Sequence, residues 1–525
     1  MKVLVQKKEC VRLVLPRDLG PQCLQDELHV VSHQHEPLSY VFLDTFEWGL
    51  WLGGHALYRC GDVYRLCIHE NGWLGEVVCE EEAADRRHFW GDFTTAPMRA
   101  KLEGLLGLRG LSTVVEGTFR LRLEELRNKI GKIVCRLEWT TVSAGKHGGE
   151  ELLHFCHVMP LLGYEAEAAH VEECLTLRGA STVGAGPLEV LLRHAQIEPL
   201  KYTLKPVFGL KRDTPAREAI GRIVRPILGI ANRNIPGILN DIDTEFLHDY
   251  RICLRKIRSV LSLVKEVYPY DGTERMRKIL GDLARETNRL RDLDVYLLAR
   301  DEYLGLLPPQ LRPALEEMFE DFSAEREVEV RRVALKMRAS SSRKLLQELE
   351  DFFFAETPHG PSPHADLPVG PLVFRSIYKR YRKIRAIAAG IGAETPDEAV
   401  HQIRIECKKL RYLLEFFTEL IPVEEGAAMQ KTMRRLQGRL GEFNDASVQQ
   451  KSLMDYWEQK KTGHEVALGL GGLVSILYQQ QKRTRGLIEQ ALVGFSDAST
   501  VAAFKAIFKH PASTPTTDAP RDAHQ

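Results

Sequence analysis

The chain has no surplus of either charge: 72 Lys+Arg stand against 72 Asp+Glu over 525 residues. That balance excludes a uniformly basic nucleic-acid binder and an acidic solvating protein, while leaving open where the charges sit. Paired cysteines are also missing. The 10 cysteines are scattered, with no C-x-x-C pair and no Cys/His spacing of a zinc site, so they read as reduced thiols buried as small hydrophobes. Long apolar runs are absent too: the longest, residues 466–478, holds three glycines and falls short of the roughly 20 residues that a membrane span needs. The first 16 residues carry lysines but no apolar core with a small-residue cleavage site, so no secretory signal is read there. No P-loop, G-x-S-x-G, H-E-x-x-H or dinucleotide fingerprint appears. What is present is ordinary globular material, 44% hydrophobic and 27% charged, in a length that fits about three compact units.

The texture changes once along the chain. Up to about residue 203 side chains alternate, as in 10–15, 119–123 and 132–139, and Gly61-Asp62 sits between two such runs as a two-residue hairpin turn. A second turn at 128–131 would fold 119–126 back onto 132–141. This predicts a meandering antiparallel sheet. After about Asp213 the period becomes 3.6 and helical patterns follow one another to about Lys509. Prolines at 308, 309 and 313 interrupt them, and so does a loop over 357–371 with prolines at 358, 361, 363, 368 and 371. The expected organisation is a β domain over 1–205, helical halves over 213–355 and 371–510, and a Pro/Ser/Thr/Asp-rich disordered tail over 511–525.

The helical halves repeat one another. His248, Arg251, Arg255, Lys256 and Arg258 recur as His401, Arg404, Lys408, Lys409 and Arg411, at identical offsets of 0, 3, 7, 8 and 10. At about 100° per residue, offsets 0, 3, 7 and 10 fall within an arc of roughly 80°, so each copy places a positive stripe along about three helical turns. Tyr250, Leu254, Ile257 and Leu261 form the adjoining apolar face of the first copy. Arg222 and Arg375 stand 26 residues before each histidine, and the second is followed by Lys379, Arg380, Arg382, Lys383 and Arg385 without an intervening acid. Downstream lie Arg291-Asp292-Leu293-Asp294-Val295 and Leu440-Gly441-Glu442-Phe443-Asn444-Asp445. Asp292, Asp294, Glu442 and Asp445 read as partners that orient arginines rather than as catalytic acids, since no nucleophile accompanies them.

A lone basic stripe is often only a solvated helix face. Duplication at equal offsets, each led by a histidine, argues for a polyanion site. These residues resemble the CHAD domain, the conserved-histidine α-helical domain built as two four-helix repeats around a basic pore or groove. The likeness covers about 213–510 and implies binding of inorganic polyphosphate. The implied contacts are the ten stripe residues, with Arg222, Arg375, Lys379 and Arg382 added from the preceding helices. The chemistry agrees: guanidinium forks and ammonium groups take phosphate oxygens by charge-assisted hydrogen bonds with release of counterions. Histidine adds a donor that strengthens near or below about pH 6.5. Nucleic acid is the competing polyanion, but the stripes carry no interleaved aromatics that would stack bases.

Residues 1–205 resemble a divergent CYTH, or triphosphate-tunnel, domain. The pieces are Tyr40-Val41-Phe42-Leu43-Asp44-Thr45, Leu50-Trp51-Leu52-Gly53-Gly54, Phe119-Arg120-Leu121-Arg122 and Pro199-Leu200-Lys201-Tyr202. Active members open with E-x-E-x-K, whose carboxylates bind a divalent metal. Here the strand reads Glu9-Cys10-Val11-Arg12-Leu13. The later E-x-E strand falls at His154-Phe155-Cys156-His157, and His69 stands where the family has a lysine. The expected fold class is therefore α+β, a partial antiparallel barrel followed by an all-α CHAD domain. The expected function is cytoplasmic polyphosphate binding, granule-associated or regulatory, with no catalytic residue, metal, cofactor or membrane. Arg59, Arg120, Arg122 and Arg136 are the candidate anion ligands of the N-terminal domain. Two alternatives stay open: a metal-dependent tripolyphosphatase whose polyanion is delivered by the helical domain, and a nucleic-acid-binding adaptor.

Overall fold

Alternation of apolar and polar side chains over residues 11–160 produces nine strands among the described residues. They are β1 (Val11–Leu15), β2 (His29–Gln34), β3 (Leu38–Asp44), β4 (His55–Cys60), β5 (Val63–Glu70), β6 (Trp73–Glu82), β7 (Ser112–Arg127), β8 (Ile133–Ala144) and β9 (Glu151–Pro160). The computed structural model describes residues 10–24, 29–83, 85–182, 184–199, 202–204, 206–355, 360–392, 395–460 and 463–509. Glu9 and the tail over 511–525 lie outside the described residues. All strand pairings are antiparallel, in spatial order β1-β9-β8-β7-β3-β4-β5-β6, with β2 on β7. The sheet curls into a half-barrel. Gly61 opens the β4–β5 turn at a φ of 60°, and Asn128 accepts from the amides of Ile130 and Lys132 to close the β7–β8 turn.

Helices cover both faces of this sheet. They are α1 (Gly49–Leu52), α2 (Ala96–Leu106), α3 (Glu165–Leu177) and α4 (Pro187–His194). Leu188, Leu191 and Leu192 of α4 pack on Tyr40, Phe42, Tyr58, Phe119 and Phe155. A Cβ on Gly117 would meet the Leu191 Cδ1 at 2.7 Å, so glycine there lets α4 seat Leu191 without displacing its side chain. On the opposite face α3 covers Leu137, Trp139 and Cys156, while α2 covers Leu57, Tyr64 and Leu66.

The chain divides into two compact units, residues 1–203 and 204–525. The second is helical: α5 (Ala216–Leu239), α6 (Thr244–Leu263), α7 (Tyr270–Arg285), α8 (Asn288–Leu298), α9 (Arg300–Leu306), α10 (Arg312–Arg338), α11 (Ser340–Phe354), α12 (Val369–Ala388), α13 (Asp397–Phe416), α14 (Val423–Lys460), α15 (His464–Phe495) and α16 (Ala498–Phe508). The duplication is built into these boundaries. The offset that relates His248 to His401 also relates the starts of α5 and α12 and of α7 and α14, and both ends of α6 and α13.

The copies diverge after that point. Four helices per repeat were expected, but the first half carries seven among the described residues and the second five. Continuous α14 corresponds to α7, α8 and α9, which are separated by breaks at Glu286-Thr287 and Ala299. The two halves also share a core rather than forming independent bundles: Leu293, Tyr296, Phe319 and Phe322 pack with Leu453, Tyr456, Leu470 and Leu473. No single helix among the described residues is long and apolar enough to cross a membrane, and α15 with α16 reaches that composition only as a pair bent by 54°.

Candidate functional site

The two stripes meet where α6 crosses α13. Asp243 starts α6 by accepting from the amides of Glu245 and Phe246, which places His248 in the second turn. Tyr250, Leu254, Ile257 and Leu261 are buried on one side, and so are their duplicates Ile403, Cys407, Leu410 and Leu414. Packing those faces leaves the basic edges of both helices side by side. Arg255 and its duplicate Lys408 stand close enough for their charges to interact, and each also senses Arg404. Burial pushes the Lys408 ammonium down to about 8, with Arg404, Arg255 and Arg411 adding to the shift. Burial likewise lowers the proton affinity of Arg404, and Arg255 contributes. Arg255 itself is exposed. Like charges gathered this way raise the free energy of the empty site and favour any anion that enters it.

Each stripe is braced from the helix that follows it. Arg251 donates to the Ala284 carbonyl at 2.7 Å and to Thr287 Oγ1 at 2.8 Å, fixing the end of α7, and burial lowers its proton affinity although Asp292 counteracts. Its duplicate Arg404 pairs with Asp445 at 3.7 Å. His401 hydrogen-bonds Asn444 at 3.0 Å. Asp294 holds Arg326 at 2.7 Å, and Glu442 holds Arg439 at 2.9 Å. All four acids thus stand beside arginines.

One stripe position leaves the set in the first copy. Lys256 is 5% exposed, pairs with Glu415 at 2.5 Å and donates to the Leu204 carbonyl at 2.6 Å. Lying one residue from Arg255, it points about 100° away around α6. A small cavity of ≈ 250 Å³ on that side is lined by Lys256, Arg411, Glu415 and Glu419, and Glu419 is held by the amides of Phe208 and Leu210. The duplicate Lys409 faces elsewhere, into a cleft of ≈ 1220 Å³. This cleft also takes Arg258 from α6, Arg380 from α12, and Lys265, Arg277, Lys278 and Arg285 around α7; Arg277 is paired with Glu274, Arg285 with Asp282, and Arg380 and Lys409 with Glu406.

The cleft shows what sequence reasoning missed. Glu406, an acid inside the second stripe, is 2% exposed and accepts from Arg380 at 2.6 Å, Lys383 at 3.0 Å and Lys409 at 3.0 Å. Burial works against its charge, but hydrogen bonds from Lys409, Lys383 and Arg380 prevail and hold the carboxyl at about 2. Its duplicate position is Cys253, a buried neutral thiol. That unlike pair is the one sequence signal of the arrangement. The α7 cations gave none, because they lie outside the repeated motif.

The remaining predicted residues are dispersed. Arg222 is taken up by Glu218 and the Gly209 carbonyl, both at 2.6 Å. Arg375, Lys379 and Arg382 line a separate cleft of ≈ 570 Å³ on the outer side of α12. In the N-terminal unit the four arginines do not converge. Arg122 lies opposite Trp139 in the β7–β8 register and Arg136 opposite Glu125, so Arg120 and Arg122 share one face of the sheet and Arg136 takes the other. Each arginine has a carboxylate beside it: Asp62 for Arg59 at 3.0 Å, Glu151 for Arg120 at 3.4 Å, Glu124 for Arg122 at 2.8 Å, and Glu125, which also holds Arg127, for Arg136 at 3.6 Å. His69 stacks on Trp51 at 4.3 Å. Asp44 accepts from the amides of Thr45, Leu50 and Trp51, so it anchors α1, and burial raises its carboxyl to about 6. Among the described residues no three His, Cys, Asp or Glu side chains are placed to hold a metal ion.

A duplicated, histidine-led basic helix pair of this kind defines a class. Residues 222–454 match the CHAD domain model, and the chain carries a CHAD domain there. Uncharacterized proteins from two strains of Mycobacterium tuberculosis, CDC 1551 / Oshkosh and H37Rv, are each 28% identical over 256 residues, covering 47% of this chain and 47% of their own length. The chain thus matches about half the length of these curated relatives. Among solved structures, the CHAD domain from the plant Ricinus communis is 22% identical, covering 55% of this chain and 95% of that chain at a TM-score of 0.47. PptA from Streptomyces chartreusis is 19% identical, covering 53% and 99% at 0.40. A Hippeastrum protein described as an adenylyl cyclase with a dominant triphosphatase activity is 18% identical, covering 37% and 99% at 0.22.

Proposed function

We propose that this protein binds inorganic polyphosphate along the α6–α13 groove, with the anion seated on Arg255, Arg404, Lys408 and Arg258 and continuing into the basic cleft at α7. The observation that carries this reading is the meeting of the duplicated stripes: α6 packs on α13, and burial, with Arg404 and Arg255 adding to it, depresses the proton affinity of Lys408. A site of that kind favours a flexible, repeating anion, because each phosphate can reach a different cation without a fixed template. A polyanion of this chemistry would place the protein at polyphosphate granules.

The test is direct. Arg255→Glu with Lys408→Glu should abolish retention on immobilised polyphosphate near physiological salt, while the circular-dichroism spectrum stays helical. Full retention by this variant overturns the proposal. Single-stranded RNA that competes with polyphosphate at equal phosphate concentration would instead support a nucleic-acid adaptor.

A further inference from the structure

Helix α12 carries cations that the groove does not use. At about 100° per residue, Arg380, Lys383, Lys379, Arg375 and Arg382 succeed one another around the helix within about 160°. The row begins inside the groove: Arg380 lines the large cleft, and both Lys383 and Lys409 donate to the same oxygen of Glu406 at 3.0 Å. It ends in the second cleft of ≈ 570 Å³, where Arg375, Lys379, Arg382 and Lys383 stand beside Tyr378 with no acid in the lining. Among the described residues Arg375, Lys379 and Arg382 have no carboxylate partner. Neighbours at i+3 and i+4 of like charge destabilise a helix, so the row is kept against its own repulsion. The first copy has no such row. At the matching positions Ile227 and Ile230 are buried, Pro226 and Gly229 carry no charge, and Arg222 is paired with Glu218.

We infer that the outer face of α12 is a second anion subsite, joined to the groove through Glu406 and its three cations, that engages only chains long enough to leave the groove. This rests on the groove reading and adds a preference for long polyphosphate over short. The row is one-sided, so a bound chain leaves the groove across the second repeat.

The experiment compares labelled tripolyphosphate with long-chain polyphosphate, using the full chain. The variant Arg375→Gln, Lys379→Gln, Arg382→Gln removes repulsion as well as charge, so its melting temperature should not fall. Its affinity for long chains should drop about tenfold and its salt slope should become shallower by about 2, while tripolyphosphate affinity stays within about twofold. Equal loss for both lengths, or loss for neither, overturns the subsite. Arg255→Glu with Lys408→Glu should remove binding of both lengths. Retention of long-chain binding by that groove variant overturns the groove reading, and the extension with it.

Discussion

The two copies of the helical repeat start three helices at matching positions and carry the same stripe, yet they treat equivalent side chains differently. Lys256 is sealed against Glu415, whereas Lys409 stands in an open cleft. Cys253 is a buried thiol, whereas Glu406 gathers three cations. The first copy packs Ile227 and Ile230 inward, and the second turns Arg380 and Lys383 toward the carboxylate. Duplication therefore preserved the scaffold while the polar interior was re-sorted: one copy closes its flank and the other keeps its flank open and positive. A repeat motif locates the stripe but does not say which of its members meets solvent.

The comparison can be broken most severely at the lysine pair. Lys256→Met leaves the half-buried Glu415 with only Arg411, at 3.7 Å, and the Leu204 carbonyl without its donor, and should cost about 3 kcal/mol of stability, whereas Lys409→Met should cost under about 1 kcal/mol. Chemical denaturation of the two variants measures this, and equal losses would show that the copies are energetically alike. Next in size is Glu406→Gln. It should destabilise the fold by about 2 kcal/mol through loss of its charged hydrogen bonds, and should tighten polyphosphate binding by releasing three cations. The carboxyl titrates in the fold below its unfolded value, so its contribution is complete above about pH 4.5 and disappears as the pH falls toward about 2. The variant should therefore flatten that part of the acid-stability profile.

A smaller effect separates Lys408 from Arg255. Lys408 loses its proton above about pH 8, so affinity should weaken as the pH rises through that value, and Lys408→Arg should remove the dependence. The sign for stability is the reverse: the unfolded chain holds this proton to higher pH, so charging Lys408 in the fold is a cost below about pH 8. Lys408→Met should raise the melting temperature at pH 7 while weakening binding. The smallest expected change is at Arg222→Gln, whose guanidinium is already satisfied by Glu218 and Gly209; binding titrations should not distinguish it from wild type.

The sequence by itself determined the antiparallel meander, the change to helices, the duplication and the stripe, because each follows from local periodicity: two for the strands, 3.6 for the helices and one constant offset between the copies. Of the four acids it placed beside arginines, only Glu442 follows from helical spacing, three residues from Arg439; Asp292, Asp294 and Asp445 reach Arg251, Arg326 and Arg404 on other helices. Tertiary structure decided the rest. Whether Lys256 or Lys409 meets solvent depends on what packs against the flank of each helix, and that comes from Leu204 and Glu415 in one case and from α7 and α12 in the other. That Arg120 and Arg122 share a sheet face follows from period two, but that Arg136 takes the other face required the β7–β8 register. Glu406 lay in plain view inside a basic run, but its role arises from Arg380 and Lys383 on another helix. Burial and charge neighbourhood are properties of packing between distant segments, and periodicity along the chain carries no record of them.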